Sequence, residues 1–162
     1  MDTPADTDVR CSTAVFRDDA LLLVHRFRDG LDDWVLPGGT PRASEGMAAC
    51  ARRETLEETG LTVEPTRVAF VLEALRPGSR RRTVDIVFLA SPPARGEPDS
   101  REPHLEARFV ALEVLPGLQM RPPLAGYLRA LNVSGTARTA PYLGNMWRPS
   151  RGDGLPRTRD AR

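Results

Sequence analysis

Residues 39–61, GTPRASEGMAACARRETLEETGL, decide how this chain is read. The stretch follows a Pro37-Gly38 turn and carries Arg53-Glu54, then Glu57-Glu58, then Gly60, with Glu45 upstream. Ala48, Ala51, Thr55 and Thr59 recur at spacings of three and four, which predicts a helix over 46–59 with a stripe of small residues against a sheet. Gly60 is placed to end it in a left-handed conformation, and Ser44 is placed to cap its start. Glu54, Glu57 and Glu58 then share one face. Their like charges oppose one another at a cost of about 0.2–0.5 kcal/mol per pair. Glu57 and Glu58 also meet the negative end of the helix dipole, at about 0.3–1 kcal/mol each. Arg53 offsets part of this through Glu57, one turn on. A divalent cation with oxygen ligands would offset more. A solvated helix face explains three glutamates taken alone; the spacing around them does not fit that explanation.

Outward from this stretch, the chain of 162 residues suits one domain with tails. Its net charge of +1 provides no field to attract nucleic acid or an anionic membrane. All 23 basic residues are arginine, which excludes lysine-based catalysis. Cys11 and Cys50 lack metal spacing and read as reduced, buried thiols. The polar, acidic N-terminus is not a signal peptide, and no apolar run is long enough to span a membrane. A soluble, cytoplasmic protein is expected.

Along the chain, residues 1–9 are expected to be a flexible leader, 10–132 a folded domain, and 133–162 an Arg-, Pro- and Gly-rich tail in which Tyr142 and Trp147 alone suggest folding back. Strands are predicted over 12–16, 20–27, 34–36, 67–75, 83–90 and 108–111, with a hairpin turn at Asp18-Asp19 and a second at Arg76–Arg82. Segments 28–33 and 91–103 read as polar loops. A last helix is expected to start at Pro122-Pro123 and to bury Leu124, Leu128 and Leu131, with Tyr127 on the same face. The order defines an α/β protein of α+β type, a mixed sheet between helices.

The spacing Gly39, five residues, Glu45, seven residues, Arg53-Glu54-Thr55-Leu56-Glu57-Glu58-Thr59-Gly60-Leu61 resembles the Nudix box, G-x(5)-E-x(7)-R-E-U-x-E-E-x-G-U, where U is aliphatic. Only Thr55 departs; its methyl can pack and its hydroxyl can bond a carbonyl one turn back. The resemblance implies the Nudix α/β/α sandwich with a curved mixed sheet. It also implies Mg2+-dependent hydrolysis of a nucleoside diphosphate linked to a further group, with Mn2+ as a substitute metal. Glu57 and Glu58 would then be the principal metal ligands, joined by Glu54 and the Gly39 carbonyl. Arg53 would orient Glu57, while Gly38, Glu45 and Gly60 would shape the motif. Glu54, or a loop glutamate at 102 or 106, would accept the proton of the attacking water, and Glu106 is preferred here. Arg76, Arg82, Phe27 and Trp34 are candidates for substrate contact; a solvated hairpin and core packing are the plainer uses of these four. His25 and His104 show no catalytic spacing.

The resemblance admits (d)NTPs, ADP-ribose or nucleotide sugars, dinucleoside polyphosphates and coenzyme A as substrates, and homodimers as assemblies. Two other readings compete: a domain that senses nucleotides without hydrolysis, and an enzyme that trims a diphosphate from a non-nucleotide metabolite. The retained box glutamates and the lack of room for a DNA-binding module argue against the sensor.

Overall fold

The structure is a computed structural model that describes residues 3–27, 30, 32–91, 96–100, 102–134 and 141–149. Parts of the two expected polar loops (residues 28, 29, 31, 92–95 and 101) and of the tail (135–140 and 150–162) lie outside the described residues.

The central strand is β1 (Asp6–Arg17). It turns at Asp18, whose φ of 52° sits in the left-handed region, into β2 (Ala20–Arg26). β3 (Asp33–Val35) lies antiparallel on β2, and the two-residue β4 (Gly38–Gly39) pairs with Cys11 and Ser12 of β1. Helix α1 (Met47–Thr59) follows, then a long hairpin of β5 (Glu64–Leu75) and β6 (Arg81–Ser91). β6 runs parallel to β1 over ten registered pairs, Asp6↔Arg81 to Val15↔Ala90, and closes the mixed sheet. β7 (Leu105–Ala111) pairs with β2, a 3-10 turn spans Leu115–Gly117, α2 covers Ala125–Ser134, and β8 (Tyr142–Asn145) lies parallel on β5. The strand order is β3-β2-β1-β6-β5-β8, with β4 on β1 and β7 on β2.

Alternation along β1 and β6 assigns the two faces. Cys11 and Phe88 pack with Cys50 and Ala51 of α1, and Val15 and Ala90 with Leu61 and Val63 just beyond it. Ala14 and Val87 face the other way, onto a larger core with Phe70, Leu72, Leu124, Leu128 and Leu131 at α2. The α/β/α layering expected from the sequence is therefore present.

Several boundaries differ from expectation. β1 begins at Asp6, so the last part of the expected leader is strand. Its first residues are exposed and are held by backbone pairing to Arg81–Val84, which no hydrophobic alternation announces. The N-cap of α1 is Gly46 with no side-chain cap, in place of Ser44. In the buried stripe Cys50 takes the place expected for Ala48, which is exposed. Pro122-Pro123 lie before α2 and not in its first turn. The expected tail contributes β8, tied by a Tyr142 hydroxyl bond to Glu73 (2.6 Å) and by Asn145, whose side chain bonds both the N–H and the C=O of Leu75 at 3.0 Å. Both cysteines are free and buried, as expected. Among the described residues no helix is long and apolar enough to cross a membrane.

Candidate active site

The site is built where the Gly38–Gly39 turn meets α1. β4 lies so close to β1 that a Cβ on Gly38 would fall 2.3 Å from the Cys11 carbonyl oxygen and 2.6 Å from the Ser12 Cα. A Cβ on Gly39 would meet a side chain instead, 2.4 Å from the Glu54 Cδ and 2.6 Å from both carboxylate oxygens. The Glu54 carboxylate is thus laid directly over the Gly39 backbone.

α1 is held at this distance by small residues and by a buried hydroxyl pair. Thr55 donates to the Ala51 carbonyl (2.7 Å), as expected at the box position where it replaces an aliphatic residue. Its oxygen lies 2.7 Å from the Thr13 hydroxyl of β1, and both threonines are wholly buried. Gly60 ends the helix at φ 70°, its N–H bonded to the Leu56 carbonyl.

Arg53 organises the carboxylates. It donates to both oxygens of Glu45 (2.7 and 2.8 Å), to Glu54 (2.6 Å), to Glu57 (3.1 Å) and to the Thr40 carbonyl (3.2 Å). Glu45 also accepts the Arg42 N–H at 3.0 Å, closing the loop onto the helix. The Arg53 and Arg42 donors hold the Glu45 carboxyl down at about 2. Glu58 accepts the Gly38 N–H at 2.9 Å. Burial pushes its carboxyl up to about 7, against the pull of that N–H and of Arg10, and the charges of Glu54 and Glu102 add to the rise. Among the described residues no three acidic, His or Cys side chains converge on one point; Arg53 and the Gly38 N–H hold the box carboxylates instead. The donor set is nonetheless one that a hard divalent cation takes: a backbone carbonyl at a residue with no room for Cβ, and three carboxylates within a turn.

The two loop glutamates part company. Glu102 lies near enough for its charge to act on Glu58. Glu106, the one preferred from sequence, stands on β7 opposite His25, 3.9 Å from both His25 and Arg108.

On the α2 face a cleft of about 790 Å³ opens, lined by Arg10, Trp34, Asp85, Met120 and Trp147 among others. Arg10 joins it to the box: it lines the cleft, donates to the Leu36 carbonyl (2.9 Å), and its charge acts on Glu58. Of the substrate-contact candidates only Trp34 reaches this cleft. Its ring is stacked by His25 at 4.5 Å and covered by the Arg108 guanidinium at 4.6 Å, so its faces serve the protein. Phe27 is exposed beside His25, Arg76 is exposed at the β5–β6 hairpin, and Arg82 lies 3.1 Å from Glu73; none of these three lines the cleft. Sequence reasoning missed Arg10 and Asp85. The only signal was a charged residue, Asp85, inside the expected strand 83–90; Arg10 lay ahead of the expected strand 12–16.

A turn that presents bare backbone to a carboxylate helix is the arrangement expected of the Nudix box. A family model for the NUDIX domain matches residues 7–131, and the chain belongs to that family. It is a Nudix hydrolase, an enzyme acting on phosphorus-containing acid anhydrides. The crystal structure of a MutT NUDIX hydrolase from Burkholderia pseudomallei is 29% identical, covers 67% of this chain and 85% of its own, and has a TM-score of 0.59. A MutT protein from Methanosarcina mazei Go1 (19% identity, 84% and 100% coverage, TM-score 0.68) shares the fold. So does an ADP-ribose pyrophosphatase from Streptococcus suis 89-1591 (24%, 85% and 98%, 0.61). Comparison with curated proteins returns no match.

Proposed function

We propose that the protein is a Mg2+-dependent pyrophosphohydrolase that cleaves the phosphoanhydride of a nucleoside diphosphate linked to a further group. The observation that carries this reading is the contact between Gly39 and Glu54, which leaves no space for a side chain where backbone and carboxylate meet. Glu57, Glu58, Glu54 and the Gly39 carbonyl would hold the cation. Bound there, Mg2+ (or Mn2+) would neutralise the diphosphate and lower the pKa of a coordinated water.

The chain's own residues do the rest. Arg53 fixes Glu57 and Glu54 from one guanidinium, so their positions depend on a single planar donor. Glu45 locks that guanidinium to the loop. Glu54, or a loop glutamate at 102 or 106, would take the proton of the attacking water. The cleft beside Arg10 receives the remainder of the substrate.

A panel of (d)NTPs, ADP-ribose, nucleotide sugars, dinucleoside polyphosphates and coenzyme A, run with Mg2+ or Mn2+ and read by mass, tests this. Nucleoside monophosphate plus pyrophosphate would assign NTPs, and AMP plus ribose phosphate would assign ADP-ribose. No turnover of any member, with either metal, would overturn the reading.

A further inference from the structure

The cleft has a polar floor that hydrolysis itself does not use. Asp85 is only 5% exposed, yet it lines the cleft as the cross-strand neighbour of Arg10. A relay of donors fixes it. The Arg10 Nε donates to the Ser12 hydroxyl (3.2 Å), and that hydroxyl donates to the Asp85 carboxylate, 2.8 and 2.9 Å from its two oxygens. One hydroxyl proton serves one oxygen at a time, whereas a carboxylate has about four acceptor sites. The Arg10 Nε is 3.6 Å from Asp85, beyond a good hydrogen bond. A buried carboxyl group with spare acceptor capacity therefore borders a ligand-sized space; burial pushes its pKa up, and the Arg10 charge and the Ser12 hydroxyl pull it back down. Beside it, Arg10 bonds Ser12 and Leu36 through Nε and Nη2 and has further donors on Nη1.

One wall of the same cleft comes from outside the matched domain. Met146 and Trp147 line it, and they follow β8, which lies beyond residue 131. The segment is anchored by the Met146 N–H to the Glu73 carbonyl (2.8 Å) and by the Asn145 bonds to Leu75. Trp34 has both His25 and Arg108 on its ring; among the described residues no ring or guanidinium stacks on Trp147.

We propose that the segment after the family domain completes a base-reading subsite, in which Trp147 stacks on the substrate's ring and Asp85 and Arg10 read its edge. Two carboxylate oxygens accept two adjacent N–H groups, and an arginine beside them donates to a carbonyl. That edge belongs to a 2-amino-6-oxopurine; a 6-oxopurine without the amino group offers one N–H, and adenine offers no carbonyl. The proposal rests on the substrate being a nucleotide derivative, as argued above.

The test is calorimetric binding of GMP, IMP and AMP to the full chain in EDTA, which needs neither metal nor turnover. GMP is expected to bind at least about tenfold tighter than IMP or AMP, the effect of a hydrogen bond to a buried charge. Asp85→Asn should bring the three within about threefold of one another, whereas a bracing role alone would weaken all three alike. Trp147→Ala should weaken all three about tenfold with their order kept, and Trp147→Phe should restore them. Equal affinities in the wild type, an unchanged order in Asp85→Asn, or no binding of any of the three would overturn the proposal. Hydrolysis of a diphosphate without nucleotide binding would sink this inference and leave the hydrolase reading standing. Selective binding without hydrolysis would do the reverse.

Discussion

Two adjacent glycines should fail in opposite ways when given a methyl group. In Gly39→Ala the new Cβ would lie 2.4 Å from the Glu54 Cδ, where carbon atoms settle at about 3.5 Å or more. About 1 Å of movement is required. The obstacle is the far end of a flexible side chain, so Glu54 can swing away from its bond to Arg53. The fold should survive with a loss at the low end of the roughly 1–3 kcal/mol typical of overpacking. A catalytic group displaced by about 1 Å costs on the order of 100-fold in rate. In Gly38→Ala the obstacles are the Cys11 carbonyl oxygen at 2.3 Å and the Ser12 Cα at 2.6 Å, which are backbone of the central strand. Relief requires β4 to leave β1, with loss of their pairing and of the Gly38 N–H bond to Glu58. That variant should lose about 3 kcal/mol or more, equivalent to roughly 6–12 °C in Tm for a chain of this size. Thermal unfolding and hydrolysis rates measured on both variants separate the two effects. A Gly39→Ala enzyme with wild-type activity, or one as destabilised as Gly38→Ala, would refute this account of the turn.

Other outcomes follow from the same geometry. Thr55→Val removes one partner of the buried hydroxyl pair and leaves Thr13 unmatched, which should cost about 1–3 kcal/mol in denaturant unfolding. The double variant Thr13→Val/Thr55→Val should recover part of that loss, and simple additivity would show that the pair is not coupled. Burial pushes the Cys50 thiol up to about 12, with Cys11 beside it, so the native protein at pH 8 should resist iodoacetamide until it is unfolded. Rapid labelling of the native state would contradict the packing of α1. The Glu45 carboxyl is held at about 2 against 4.5 when free, so its contribution to stability is complete above pH 4.5 and is lost as the pH falls toward 2. Glu45→Gln should flatten that part of the acid-unfolding curve; an unaltered curve would mean that the Arg53 contact contributes nothing.

Local chemistry made much of this legible. The extent of α1, its glycine stop and its face of carboxylates are properties of a few contiguous residues, and the structure reproduces them. The β5–β6 hairpin was visible because its turn residues and alternating strands are neighbours in sequence. What escaped depends on partners far along the chain. Asp6–Val9 become strand only because Arg81–Val84 lie beside them, and Tyr142–Asn145 only because β5 has an open edge. Arg10 and Asp85 both lie outside the box, on strands far apart in sequence, and acquire meaning from their register. Glu106 stands on β7, where pairing with β2 sets it opposite His25.

The central claim is that the face of α1 carrying Glu57 and Glu58 carries out metal-dependent cleavage of a phosphoanhydride. Its most direct test is the Mg2+ dependence of product release by Glu57→Gln and Glu58→Gln on the best substrate of the panel. Each variant should fold and lose on the order of 100-fold or more in kcat/KM, about 2.7 kcal/mol of transition-state stabilisation. Two folded variants that both retain full Mg2+-dependent activity would contradict it.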